Sequence, residues 1–153
     1  MKKISPKICI IGDQNVGKSS LVRNLLGLSF QDMKSEVDIQ IHQKTENKIS
    51  LTFWDIHGGE KFLSLEKNYL SGSSLCILVA DLSVRETILN LVQYKEIFLK
   101  YNPHSSVLVV FNKKDILDTT INWDSEDDCF YVSLKKNIGL ENLMKTILEK
   151  VKK

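Results

Sequence analysis

A chain of 153 residues is long enough for one domain, residues 1–153, with a core that folds alone. Its hydrophobic share of 42%, charged share of 26% and formal net charge of +2 are those of a soluble globular protein and give no ground for nucleic acid as a partner. No apolar run is of membrane-spanning length, no long apolar region follows the basic start Met1-Lys2-Lys3, Lys2 excludes N-myristoylation and no terminal cysteine invites prenylation, so the expectation is a cytoplasmic protein without a lipid anchor motif.

In chain order, Lys7 to Ile11 reads as an apolar first strand and Gly17 to Leu26 as a first helix, closed near Gly27. Residues 31–36 are polar and read as a loop. Val37 to His42 alternates with period two like an edge strand, Thr45-Glu46-Asn47 reads as a turn, and Ile49 to Trp54 returns as the second arm of a hairpin. Phe62, Leu65, Glu66 and Tyr69 suggest a short helix, broken at Ser71-Gly72-Ser73. Leu75 to Ala80 is an unbroken apolar run ending at Asp81, as in a central parallel strand. Ser83-Val84-Arg85-Glu86 has the form of a capping box and opens a helix through Ile88, Leu91, Val92, Ile97 and Phe98, ending before Asn102-Pro103. Val107 to Phe111 is another buried strand and Cys129 to Val132 the last. The segment between Asp115 and Cys129 is too short for a loop plus a full helix, so the helix before the last strand is expected to be short or absent. Its acidic run, Asp124, Glu126, Asp127 and Asp128, reads as a solvated surface rather than a metal site. Leu140, Leu143, Met144, Ile147, Leu148 and Val151 form one apolar face of a closing helix. Strand runs alternating with helical patterns predict an α/β fold: a mostly parallel sheet with helices on both faces. Cys9, Cys76 and Cys129 lack zinc or redox spacing and read as small buried side chains.

Chemistry enters at Gly12-Asp13-Gln14-Asn15-Val16-Gly17-Lys18-Ser19, which reads G-x-x-x-x-G-K-S between the first strand and the first helix. Gly12 and Gly17 allow a tight turn and close approach to a phosphate. Successive N–H groups, those of Asn15 and Val16 among them, then form an anion nest backed by the helix N-terminus, where Ser20 follows. Lys18 supplies a point charge to terminal phosphates, and Ser19 a hydroxyl to a magnesium ion.

Three further stretches narrow the choice of nucleotide. Asn112-Lys113-Lys114-Asp115 is N-K-x-D directly after a buried strand. The Asp115 carboxylate can accept from two adjacent donors on guanine, whereas adenine would leave that charge unpaired. The Asn112 amide can tie the segment to the phosphate loop, and the Lys113 stem can lie along base or ribose. Ser133-Leu134-Lys135 supplies S-x-K after the last strand. Asp55-Ile56-His57-Gly58 is D-x-x-G, placing Asp55 near the magnesium shell and the Gly58 N–H near a terminal phosphate.

With these residues the chain resembles the Ras-like small GTPases, most closely the Rab and Arf branches, nearly from end to end. Gly58-Gly59-Glu60-Lys61-Phe62 is similar to that family's second switch, and Asp81-Leu82-Ser83 to the start of its third helix. Phe30 falls at the spacing of the aromatic that packs against guanine, and Ser133 to Lys135 resembles the loop whose backbone meets the guanine oxygen. The resemblance implies a phosphate-loop G domain with six strands and about five helices. It also implies GTP or GDP with Mg2+ as ligands, and effector and regulatory proteins bound through residues 31–42 and 57–70.

The chain departs from that pattern in places. Gly59 stands where the family carries the water-orienting glutamine; His57 and Glu60 flank it and are the candidate substitutes, beside Lys18 and Gly58, as catalytic residues. Ser35 is the only hydroxyl between Phe30 and Val37 that could replace the switch threonine on the metal, the alternative being a loop serine facing water. Metal holding would thus fall to Ser19 and Ser35, with Asp55 acting behind them. Gln14 and Asn15 replace small residues, and neither Arg23 nor Arg85 is placed to act on the phosphates. The expectation is a guanine-nucleotide switch with slow GTP hydrolysis. Two alternatives stay open: a non-hydrolysing GTP-binding scaffold, and a phosphate-loop ATPase or kinase.

Overall fold

The computed structural model describes residues 5–27, 39–46, 48–57, 67–113, 120–123 and 126–152. Six strands form one sheet: β1 (Lys7–Gly12), β2 (Ile39–Glu46), β3 (Ile49–His57), β4 (Leu75–Asp81), β5 (Ser106–Asn112) and β6 (Asp128–Tyr131). Their order is β2-β3-β1-β4-β5-β6. Only the β2–β3 pair is antiparallel; β1 pairs parallel with both β3 and β4, and β5 with both β4 and β6. Between them run α1 (Lys18–Leu25), α2 (Lys67–Leu70), α3 (Arg85–Tyr101) and α4 (Glu141–Val151).

The sheet is covered on both faces because successive side chains of a strand point to opposite sides. Ile8, Ile10, Ile77, Val79, Leu108 and Val110 face α1 and α4 in one core. Cys9, Ile11, Cys76, Leu78, Val109 and Phe111 face α3 in the other, where Leu91, Tyr94 and Phe98 meet them. A strand buried on both faces has to be apolar at every position, which is why β4 reads as an unbroken run. None of the described helices is long and apolar enough to cross a membrane.

The elements follow the sequence reading, with four corrections. The hairpin turn is tighter than expected: Glu46 still pairs with Ile49, so Thr45 and Glu46 belong to β2, and Lys48 enters the left-handed region at φ 66°. The capping box does not form. Val84 is the N-cap of α3, and the Ser83 hydroxyl donates instead to Asp81 Oδ1 at 2.6 Å. Asp127 is not a solvated charge: its carboxylate accepts from Lys95 Nζ and, at 3.0 Å, from Trp123 Nε1. Cys129 is only half-buried, whereas Cys9 and Cys76 are buried. Between β5 and β6 the described residues 120–123 and 126–127 carry no helix. Their place is filled by Trp123, edge-on to Phe111 at 6.5 Å, and by Tyr131, whose hydroxyl accepts from the Ile121 amide at 2.7 Å.

Candidate functional site

The chain leaves β1 towards β3 on one side and β4 on the other, so the sheet order reverses beside β1. A crevice at the strands' C-terminal ends is expected at such a point. Gly12, Asp81 and Asn112 end β1, β4 and β5 there. The phosphate loop fills the reversal point. Asn15 at φ 66° and Gly17 at φ 107° give it its backbone shape. Gly12 admits no side chain: a Cβ would stand 2.3 Å from the Val79 carbonyl oxygen. At Gly17 a Cβ would stand 2.6 Å from Asn112 Nδ2. Asn at position 15 suits its left-handed backbone, because its short polar side chain tolerates that region better than most.

Asn112 ties three segments together. Its Nδ2 donates to the Val16 carbonyl at 3.0 Å, and its Oδ1 accepts from the Leu134 amide at 3.2 Å. The phosphate loop, the end of β5 and the 133–135 loop are thereby held by one buried amide. That last loop is closed by reciprocal Ser133 and Ile138 amide–carbonyl bonds at 3.1 and 3.0 Å, and Ser133 Oγ accepts from the Lys136 amide. Ser133 and Leu134 are buried, and Lys135 is exposed. Lys113, at φ 76°, directs its ammonium to Asp81 Oδ2 at 2.8 Å. Asp81 is a partner that sequence reasoning missed; its carboxylate also accepts from the Ser83 amide at 2.8 Å.

Lys18 is buried at the start of α1, and its ammonium donates to the Asp13 carbonyl at 2.7 Å. Burial lowers its pKa to about 8, while the charges of Asp55 and Asp13 act to raise it. Ser19 Oγ donates to Asp55 Oδ2 at 2.8 Å. The other carboxylate oxygen, Asp55 Oδ1, is buried without a hydrogen-bond partner among the described residues. A buried carboxylate oxygen left unpaired is costly. A hydroxyl and a carboxylate beside a phosphate cradle fit a hard cation that takes oxygen ligands, such as Mg2+. Ser20 is buried one residue further along α1.

The described residues therefore bring together the loop from Gly12 to Ser20 with Asp55, Asn112 and the 133–135 loop. Phe30, Ser35, Gly58, Glu60 and Asp115 lie outside the described residues, as does the side chain of His57. Of the two surfaces expected to meet proteins, residues 31–42 and 57–70, the described parts are residues 39–42 of β2, the last residue of β3 and α2. A second concavity, about 560 Å³, lies at the opposite end of the sheet. There Lys95 faces Asp127, and Lys150 faces Asp128 at 3.7 Å, so each ammonium already has a carboxylate.

The family model described as "Ras of Complex, Roc, domain of DAPkinase" matches residues 7–115. Ras-related protein Rab-7B of Dictyostelium discoideum is 31% identical over 92% of this chain and 80% of its own length. Ras-related protein RABC2b of Arabidopsis thaliana is 43% identical over 73% of this chain. Ras-related protein Rab-20 of Homo sapiens is 31% identical over 77%. The chain spans only 58% and 51% of the lengths of those last two relatives.

Proposed function

The chain belongs to the Ras-like small GTPases, and from that premise we propose that it is a guanine-nucleotide switch that binds GTP or GDP with Mg2+ and hydrolyses GTP slowly. The observation that carries this reading is the Asn112 amide, which holds the N-K-x-D segment against the Val16 carbonyl of the phosphate loop. Asp115, three residues on in the sequence, is the group proposed to select the guanine base.

In the proposed reaction, loop amides from Asn15 to Ser19 bind the phosphates, and the Lys18 ammonium leaves the Asp13 carbonyl for the terminal phosphate. Ser19 would hold magnesium with Asp55 behind it, and the ion would supply charge neutralisation to the transferring group when bound. Ser35 is the proposed additional ligand, and the Gly58 N–H the contact that senses the γ-phosphate. Phe30, Lys113, Ser133, Leu134 and Lys135 complete the proposed nucleotide contacts. Water attacks the γ-phosphorus in line, the bond to the β-γ bridging oxygen breaks, and GDP and phosphate leave. Gly59 offers no side chain to orient that water, and no arginine of this chain is proposed to offset the charge, so turnover is slow. The proposed setting is cytoplasmic, with effector and regulatory proteins meeting residues 31–42 and 57–70.

Gly59 also favours a second reading, a GTP-binding scaffold without hydrolysis. Identifying the co-purified nucleotide and following one turnover of bound GTP separates the two. Retained GDP with hydrolysis over many minutes supports the switch. Retained GTP that never turns over supports the scaffold. Turnover within seconds, unaided, contradicts the slow-hydrolysis assignment.

A further inference from the structure

Asp13 stands second in the phosphate loop, a place built to receive anions, yet its side chain is a carboxylate. The structure turns that carboxylate onto α3. Asn90 Nδ2 donates to Asp13 Oδ2 at 2.8 Å, and the Tyr94 hydroxyl donates to Asp13 Oδ1. Asn90 and Tyr94 are four residues apart, hence on one face of the helix. The Tyr94 ring is packed in the core between α3 and the sheet, at 2% exposure. A phenylalanine would fill that space without a hydroxyl to satisfy; what the tyrosine adds is a donor at the edge of the core, aimed at Asp13. Meanwhile the main-chain carbonyl of the same Asp13 accepts from Lys18 Nζ at 2.7 Å. The residue held by α3 thus touches the lysine that a terminal phosphate needs.

We propose that Tyr94 and Asn90 are positioning residues that hold the Asp13 carboxylate against α3 and out of the phosphate cradle, so that Lys18 is offered to a nucleoside triphosphate without a competing anion. This rests on the nucleotide-binding reading given above. Losing the tyrosine hydroxyl leaves the carboxylate with Asn90 alone of these two donors, and its charge already acts on the Lys18 ammonium. The loss should fall more heavily on a triphosphate than on a diphosphate, because the γ-phosphate adds charge that the freed carboxylate repels. It should disappear when Asp13 carries no charge.

The test titrates GDP and a non-hydrolysable GTP analogue, both with Mg2+, into the wild type, Tyr94→Phe, Asp13→Asn and the double variant. Tyr94→Phe is expected to weaken the triphosphate about tenfold and the diphosphate less. In the Asp13→Asn background the same change should have almost no effect. Asn90→Ala alters an exposed residue and should shift the triphosphate in the same direction, a readout that survives if Tyr94→Phe lowers the melting temperature. Equal losses for both nucleotides, or equal losses with and without the Asp13 charge, would overturn the clamp. A wild type that binds neither nucleotide would instead overturn the reading on which the clamp rests.

Discussion

Lys18 shows how one residue is made ready for anions. Burial lowers its pKa to about 8 from an ordinary lysine value near 10.5, and the nearby carboxylates only partly restore it. Between those two values the folded, empty protein binds fewer protons than the unfolded chain. The Lys18 contribution to stability therefore rises with pH across that window, and below about pH 8 the buried ammonium is a full penalty. A bound polyphosphate reverses this by stabilising the ammonium. Nucleotide binding should take up a proton at about pH 8.5 and much less near pH 7, so affinity falls as pH rises through the upper window. Calorimetry of GDP binding in buffers of different ionisation enthalpy reads that uptake directly; equal uptake at both pH values would contradict it. Asn112 makes a second prediction. Asn112→Ala strands the Val16 carbonyl and the Leu134 amide, both paired through it. The variant should lose about 2–4 kcal/mol of stability in denaturant unfolding and release GDP at least about tenfold faster. At this scale the phosphate loop and N-K-x-D were legible, because each is a run of adjacent residues. The Asp13–Tyr94 and Asp81–Lys113 pairs were not, because their partners stand 81 and 32 positions apart and no local pattern announces them.

Elements were legible where burial imposes a period on the sequence. Strands β1, β4 and β5 are apolar on both faces, and α4 carries one clean apolar stripe, so their existence followed from side-chain spacing alone. Their ends depended on polar partners instead. The start of α3 shows this: Ser83 has the residue type of a cap, but the stronger acceptor, the Asp81 carboxylate, takes its hydroxyl. Thr87 then bonds back to the Val84 carbonyl at 2.6 Å, one turn inside. The end of α3 is fixed by Asn102, whose Nδ2 donates to the Leu70 carbonyl at 2.8 Å while its Oδ1 accepts from the Ser73 amide at 3.0 Å. This one buried side chain joins α3, α2 and the lead into β4. Replacing it with alanine leaves the buried Ser73 amide unpaired and removes one of the two donors on the Leu70 carbonyl, and should cost about 2–3 kcal/mol in urea unfolding. Nucleotide affinity should hardly change, because the site lies at the strands' other end; a change of less than about 0.5 kcal/mol in stability would show that the junction is held by other contacts.

At the scale of the whole molecule, the mostly parallel sheet collects Gly12, Asp81 and Asn112 at one edge, and the cores on its two faces pack the strands that carry it. A bound ligand should therefore stabilise the fold as a unit. At a hundred times its dissociation constant it adds about 2.7 kcal/mol, enough to raise the melting temperature by roughly 5–10 °C. Chelating divalent ions should remove part of that gain if Ser19 and Asp55 hold magnesium, and leave it intact if they do not. The most direct measurement is a competition titration of the purified, nucleotide-stripped protein with GTP and ATP, with and without Mg2+. The account predicts that GTP displaces a bound guanine probe at concentrations at least about a hundredfold lower than ATP does, and only in the presence of the metal. Equal displacement by the two nucleotides, or displacement indifferent to magnesium, would contradict it.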